Sequence, residues 1–448
     1  MRERGDSARG LPSVFFSASL RPPVGFLLCL AFAGCSRTPQ PLADPNLAAE
    51  IRQIKAIDNH AHPVRWVVPG EKPDRGFDAL PVDSMEPESD PVALRPGSPA
   101  LAEASHALYG GQSKAQVMAA KREQYPAWVL DQIGVETMLA NRVEMGRSIQ
   151  PPRFRWVAYA DALIFPLDNT ALAARTPDRK GFFALEDQLR AHYLEAVGLN
   201  HIPSTLAEYA ARVVTPTLER QKQGGAIGEK FEAAYLRSLA FDPVDEATAA
   251  RIYARFAGQG PGAARPGETE YKPLQDYLFR YIAAECGRLG MAVHIHTMAG
   301  AGGYFDVAGA NPLNLESVLN DPALRKTRFV MLHGGWPFIR EIAALLAKPN
   351  AYLDFSQQSL MLPPATLAGN LREWLELNPE KVLFATDAYP YSSEMGWEES
   401  AWIASRNGRE ALAIALTGML RDGEITRARA GELARMVLRE NARALYGL

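Results

Sequence analysis

Short apolar runs recur along this chain, and several close on a residue able to bind a metal ion. One begins near Ile51 and ends in Ile57-Asp58-Asn59-His60-Ala61-His62. Met291-Ala292-Val293-His294-Ile295-His296-Thr297, Phe329-Val330-Met331-Leu332-His333-Gly334-Gly335 and Lys381-Val382-Leu383-Phe384-Ala385-Thr386-Asp387 repeat the plan. Their composition predicts β-strands, each followed by a loop and then by helical periodicity. Residues 136–141, 155–162 and 224–231 read as the second, third and fourth strands. Helices are expected over 115–133, 274–289, 315–319, 337–346 and 367–377, with an amphipathic helix over 425–446. Alternating strands and helices predict an α/β fold. Chemistry-bearing residues at the C-terminal ends of several strands are what a parallel barrel requires. The irregular stretch 64–99, rich in Pro, Asp, Glu and Gly, is long for a loop within a compact domain. After a first barrel strand it would lie over the active-site face as a lid, or form a surface insertion without catalytic role.

Composition narrows the class. With 47% hydrophobic and 22% charged residues among 448, the chain can bury a large core, and a barrel with insertions can use all of it. Acidic and basic residues are mixed and the net charge is −3, so the basic stripe that nucleic-acid binding needs is absent. Arg2, Arg4, Arg9 and Arg21 precede an apolar stretch over 24–33 that ends in Phe32-Ala33-Gly34-Cys35-Ser36. This pattern describes an export signal, too short for a comfortable membrane span. Cys35 after Ala-Gly resembles a bacterial lipobox, although Phe32 stands where Leu is usual. Cys35 is then the expected lipidation site, with plain secretion as the other reading. The expected organisation is an export signal over 1–34, a Pro-rich linker over 35–45 and a catalytic barrel over 46–448. The expected location is the bacterial envelope, lipid-anchored on the periplasmic face, with membrane contact only through the lipid. Of three cysteines only Cys286 remains in the mature domain, which leaves no intrachain disulfide. Its helical context suits a buried small residue better than a nucleophile.

The candidate chemistry follows from spacing. Residues i and i+2 of a strand share a face, so His60 and His62 project together, as do His294 and His296. Neutral imidazole is a good ligand for zinc and its neighbours. An isolated pair could be ordinary polar residues at a strand end; four strand ends offering such groups point to a metal site. His106, His192 and His201 have no such context and read as bystanders.

These segments resemble the amidohydrolase superfamily, in particular the branch represented by the N-terminal domain of fungal glutamine-synthetase-fusion proteins. The resemblance rests on the Ile57–His62 segment, Lys230-Phe231-Glu232-Ala233-Ala234-Tyr235-Leu236-Arg237-Ser238, Ile295-His296-Thr297, Asn311-Pro312 and Leu332-His333-Gly334-Gly335-Trp336-Pro337-Phe338. Pro349-Asn350-Ala351-Tyr352-Leu353-Asp354 and the ending Glu440-Asn441-Ala442-Arg443 to Tyr446-Gly447 extend it. Met298 and His294 depart from the branch, which has Gly and Gln there.

The resemblance implies a distorted (β/α)8 TIM barrel with a long insertion after the first strand. It implies one or two divalent cations; zinc is the default by donor type, and manganese or iron fit the same donors. His60, His62 and Asp387 would hold a metal, with His296 the next ligand. Asp387 would also carry the proton from attacking water to the leaving group. His333 would bind a second metal or polarise the substrate carbonyl. Lys230 would be a carbamylated bridge between two cations, or else a structural or carboxylate-binding lysine. His294 would line the pocket, and Arg237 would bind a substrate carboxylate or be a helix-surface arginine. The implied activity is metal-dependent hydrolysis of a C–N or ester bond of a small-molecule substrate. Alternatives are a decarboxylase on the same barrel and a non-catalytic binding lipoprotein; the oligomeric state is open.

Overall fold

The computed structural model describes residues 42–80, 91–257 and 265–448. The expected export signal, Cys35 and most of the linker lie outside the described residues. The apolar residues from Ile51 do not extend the first strand. They belong to helix α1, Pro45–Gln53, which has Pro45 at its first position and the Asp44 side chain accepting from the Leu47 N–H. Leu47 and Ile51, four apart, bury its one apolar side.

Eight parallel strands follow in sequential order. They are β1 Ala56–Ala61, β2 Val135–Asn141, β3 Phe154–Tyr159, β4 Ala226–Phe231, β5 Ala292–His296, β6 Arg328–Leu332, β7 Ala351–Asp354 and β8 Val382–Leu383. Backbone bonds from Asn59 N to Phe384 O (3.0 Å) and from Asp387 N to His60 O (2.8 Å) join the first strand to the last and bring the sheet round into a barrel. The fold is therefore the expected (β/α)8 barrel, and parallel strands deliver all their C-terminal ends to one rim.

The barrel interior is layered. At the N-terminal end, Ile57, Leu139, Val157, Val330 and Leu383 pack against Ala442 and Leu445 of the final helix. That segment, expected as one helix, is Arg427–Arg435 and Asn441–Tyr446 joined by a wider π-helical turn, Met436–Glu440. Above this plug lies a polar layer. The Tyr446 hydroxyl donates to Asn59 Oδ1, and the Asn59 amide donates to Asp354 Oδ2 at 2.7 Å. The candidate metal ligands sit above that.

The stretch after β1 is irregular as expected over 64–80, but it is built into the fold. Asp74 accepts from the Arg142 guanidinium (2.9 Å) and from the Arg65 N–H (2.9 Å), and Leu80 is fully buried. Further on it forms an unexpected helix α2, Pro99–Tyr109, capped by Ser98. Leu94, Leu101 and Ala104 anchor this strap in a small cluster with Leu360, Met395 and Ile403. Met395 and Ile403 come from the approach to, and the body of, a long helix, Trp397–Arg421.

Candidate metal centre

His60 stands on β1 and His62 just beyond it, their rings 5.1 Å apart. Each is oriented from behind. His62 Nδ1 donates to Phe77 O at 2.9 Å, which leaves Nε2 as a lone pair, 3.5 Å from Asp387 Oδ1. His60 Nδ1 meets the Asn141 side-chain amide at 2.7 Å. Its Nε2 lies 3.1 Å from Asp387 Oδ1, yet is buried without a hydrogen-bond partner among the described residues. His296, at the end of β5, donates Nε2–H to the Met298 carbonyl at 3.0 Å and so keeps Nδ1 unprotonated.

His333 follows β6 with φ 64°, and Asp387 follows β8 with φ 54°, both in the left-handed region that non-glycine residues avoid. Gly334, itself at φ 57°, permits the turn, because a Cβ there would come within 2.5 Å of the Gln358 amide and 2.6 Å of the Trp374 ring. A relay fixes the His333 tautomer. Asp354 Oδ1 accepts from the Ser356 hydroxyl at 2.6 Å, so that hydroxyl must accept from His333 Nδ1–H at 2.8 Å. His333 Nε2 is thereby left as a lone pair.

Burial dominates the electrostatics. It drives His60, His296 and His333 well below the ordinary imidazole value and His62 to about 4, with the Lys230 charge pushing the same way. All four are neutral near pH 7, and His60 Nε2 is a ligand atom once the Asn141 amide turns its Oδ1, unpartnered among the described residues, to accept from Nδ1–H. Burial raises the Asp387 carboxyl, while His62 and Lys230 draw it back. One donor atom each from His60, His333 and Asp387 lie within 4.8 Å of one another. An orphaned buried nitrogen, neutral imidazoles and one carboxylate are the donor set a divalent cation takes, so the residues fit one.

Lys230, at the end of β4, is buried with Nζ 3.9 Å from Glu232 Oε1. These groups line one cavity of about 320 Å³, whose remaining wall includes Pro91, Leu94, Tyr235, Met298, the glycine-rich loop 299–302, Trp336, Gln357, Met361, Tyr389 and Tyr391. Pro91 and Leu94 come from the strap, as does Phe77 on His62. The insertion therefore takes part in the site.

Two expectations are corrected. His294 does not line this cavity. It shares the strand face of His296 but lies one layer below, and its Nε2 meets the Tyr446 hydroxyl at 2.7 Å. Arg237 is neither a pocket group nor a surface arginine. Past the short 3₁₀ turn Ala233–Tyr235 the chain turns outward, and Arg237 is buried against helix α3, Glu268–Leu289. Its guanidinium binds Asp276 at 2.6 Å, Gln275 at 2.9 Å and the carbonyls of Ser238 and Ala240. Tyr304 is exposed and away from the lining, and His192 pairs with Glu144 at 3.1 Å. The residues behind the ligands, namely Asn141, Phe77, Ser356 and Tyr159, whose hydroxyl lies 3.2 Å from His62 Nδ1, went unseen in the sequence. Ser356 lies past the end of β7, in a turn that strand periodicity does not report.

Comparison with known proteins agrees with the barrel fold. A family model described as Amidohydrolase matches residues 226–448, from β4 to the C-terminus. Protein fluG of Emericella nidulans is 28% identical over 230 residues, covering 50% of this chain and 26% of its own length. The chain thus spans about a quarter of that relative. A protein described as a metal-dependent hydrolase from Lactobacillus casei has the same fold, with a TM-score of 0.63 at 19% identity over 90% of this chain and 97% of its own. Glucuronate isomerase from Caulobacter crescentus gives 0.59 at 13% identity over 91% and 96%.

Proposed function

Because the chain belongs to the amidohydrolase superfamily and is an enzyme of that type, we propose that it hydrolyses an amide-type C–N or ester bond of a small substrate at one divalent cation. The observation that carries this reading is the unpartnered Nε2 of His60, buried against Asp387 with His62 and His333 beside it. His60, His62 and Asp387 would hold the cation, with His296 completing the set and zinc the first choice by donor type. When bound, such a cation lowers the pKa of water toward neutrality and polarises a carbonyl.

The chain's own residues supply the rest. Asp387 Oδ2, 3.5 Å from His333 Nδ1, takes the proton of the attacking water and returns it to the leaving nitrogen or oxygen. His333, locked by Ser356 and Asp354, keeps Nε2 as a lone pair, so it would accept from a substrate N–H and leave polarisation of the carbonyl to the cation. Lys230, 3.9 Å from Glu232, is a structural or carboxylate-binding lysine in this reading and not a carbamate bridge.

Metal content and amide and ester hydrolysis of the wild type, Asp387→Asn and Lys230→Ala test the proposal. About one cation per chain is expected, unchanged by Lys230→Ala, while Asp387→Asn lowers kcat by roughly 10²–10⁴-fold with metal still bound. Two cations that fall together in Lys230→Ala would replace this reading with a carbamate-bridged centre. A chain that binds no metal under any loading would end it.

A further inference from the structure

Five non-glycine residues among those described have a positive φ: Arg122, Ser148, His333, Gln357 and Asp387. Arg122 ends the helix Lys114–Lys121, and Ser148 lies in the tight turn closed by Ile149 N to Gly146 O. The other three line one cavity. Strain of this kind costs free energy and persists where the surroundings over-determine it, most often at functional sites. His333 and Asp387 belong to the candidate metal centre. Gln357 has no part in it.

Gln357 is the pivot of a γ-turn, with φ 58° and ψ −42° and a bond from Gln358 N to Ser356 O of 2.6 Å. Turns of this hand are rare and strained. Its neighbours explain the turn, because Ser356 braces His333 Nδ1 and the Gln358 amide donates to His333 O at 2.8 Å. They do not explain a glutamine at the pivot, which glycine would occupy at lower cost. The side chain supplies the reason. Its Oε1 accepts from the Tyr391 hydroxyl at 2.7 Å, and the amide N–H donors have no acceptor among the described residues. Tyr391 packs on Tyr389 (5.5 Å between centroids) and Tyr389 on His62 (5.2 Å), so an aromatic wall runs from the metal centre to Gln357. Trp336, Met298 and Met361 add further apolar lining.

We propose that Gln357 is a specificity-determining residue that donates to a carbonyl or carboxylate oxygen of a substrate whose body is aromatic or apolar, while the scissile bond lies at His60 and Asp387. This rests on the hydrolytic reading of the same cavity. Among the described residues no arginine lines the cavity, and Glu232 stands beside its lysine. The oxygen is therefore held by a neutral donor and the body by ring faces.

The test uses zinc-loaded protein and two probes, N-benzoylglycine and N-ethylbenzamide, which share the benzamide body and of which only the first carries an outer carboxylate. Binding is followed by calorimetry, with metal content, Tm and hydrolysis recorded in parallel. The wild type is expected to prefer N-benzoylglycine. Gln357→Gly relieves the turn, so its Tm holds or rises and its metal content is unchanged. It should bind N-benzoylglycine about tenfold more weakly, the loss of one hydrogen bond to a charged acceptor, and N-ethylbenzamide as before. Gln357→Glu, which keeps the length and sets a carboxylate against the probe, should lose more. Equal binding by wild type and Gln357→Gly, or no wild-type preference between the probes, would overturn the assignment and leave Gln357 a turn pivot. Failure of hydrolysis is read separately: probes bound with these preferences but never cut, with no other amide or ester cleaved, would refute the hydrolase and not the Gln357 contact.

Discussion

Glu229 carries its side chain to the opposite face of β4 from Gly228 and Lys230, among Tyr193 and Cys286 of the surrounding helices. It is fully buried, Oε2 has no partner among the described residues, and burial alone holds its carboxyl well above the ordinary range. The folded state therefore keeps a proton that the unfolded chain releases above about pH 4.5. Stability from this group is complete below that value and is lost as pH rises toward the folded pKa. Glu229→Gln removes the titration and fits the same space. Its advantage over wild type in urea unfolding should be small at pH 4 and grow up to neutral pH, by about tenfold in the folding constant per pH unit at most. A difference that does not change with pH would show that Glu229 is not held protonated. Arg237 illustrates the complementary case, a charge buried only because Asp276 meets it. Arg237→Ala should cost about 3–5 kcal/mol in urea unfolding. The folded enzyme should keep its KM, whereas a carboxylate-binding arginine would raise KM. The sequence showed an arginine near the site; which way it turns is decided by Gln275 and Asp276, some forty positions later.

At the level of elements, the last helix gains its importance from where it docks. Its amphipathic pattern was readable, and so was its likeness to the final helix of the family. Its insertion into the barrel floor was not, since no periodicity reports which cavity an apolar face fills. Tyr446 joins that floor to the active-site rim through Asn59, Asp354, Ser356 and His333, with His294 bonded to the same hydroxyl. Tyr446→Phe keeps the ring and strands Asn59 Oδ1 and His294 Nε2 in a dry layer. A loss of about 1–3 kcal/mol in urea unfolding is expected, the cost of an unsatisfied buried polar group. An unchanged midpoint would mean that the polar layer repairs itself and that the helix is held by Ala442 and Leu445 alone. The strap after β1 teaches a similar lesson. Its Pro- and Asp-rich composition marked it as irregular, and long-range contacts, Asp74 with Arg142 and Leu94 with Leu360, turn it into part of the cavity wall.

Across the whole molecule, the parts legible in the sequence are those in which one residue carries both fold and chemistry. His60, His62, His296, His333 and Asp387 each close an apolar run, so the strands and the cavity lining were found together. Gln357 and Ser356 were missed because their roles arise from a turn that composition does not encode. If the proposed cation binds, the same coincidence makes the barrel depend on it. The proposed donors come from β1, β5 and the turn after β8, and β8 is only two residues long, Val382–Leu383. The β1–β8 seam is therefore the thinnest part of the sheet, and His60, His62 and Asp387 face one another across it. A cation bound there ties the first strand to the last and binds only the folded chain. At a free concentration a thousand times Kd it should add about 4 kcal/mol to stability. Calorimetry in a series of buffered zinc concentrations should show Tm rising with the logarithm of free zinc in the wild type. His60→Ala should flatten that slope and melt near the temperature of the chelated wild type. If the chelated and loaded wild type melt together, the cation does not close the seam, and the strands are held by their hydrogen bonds and the Ala442–Leu445 plug without it.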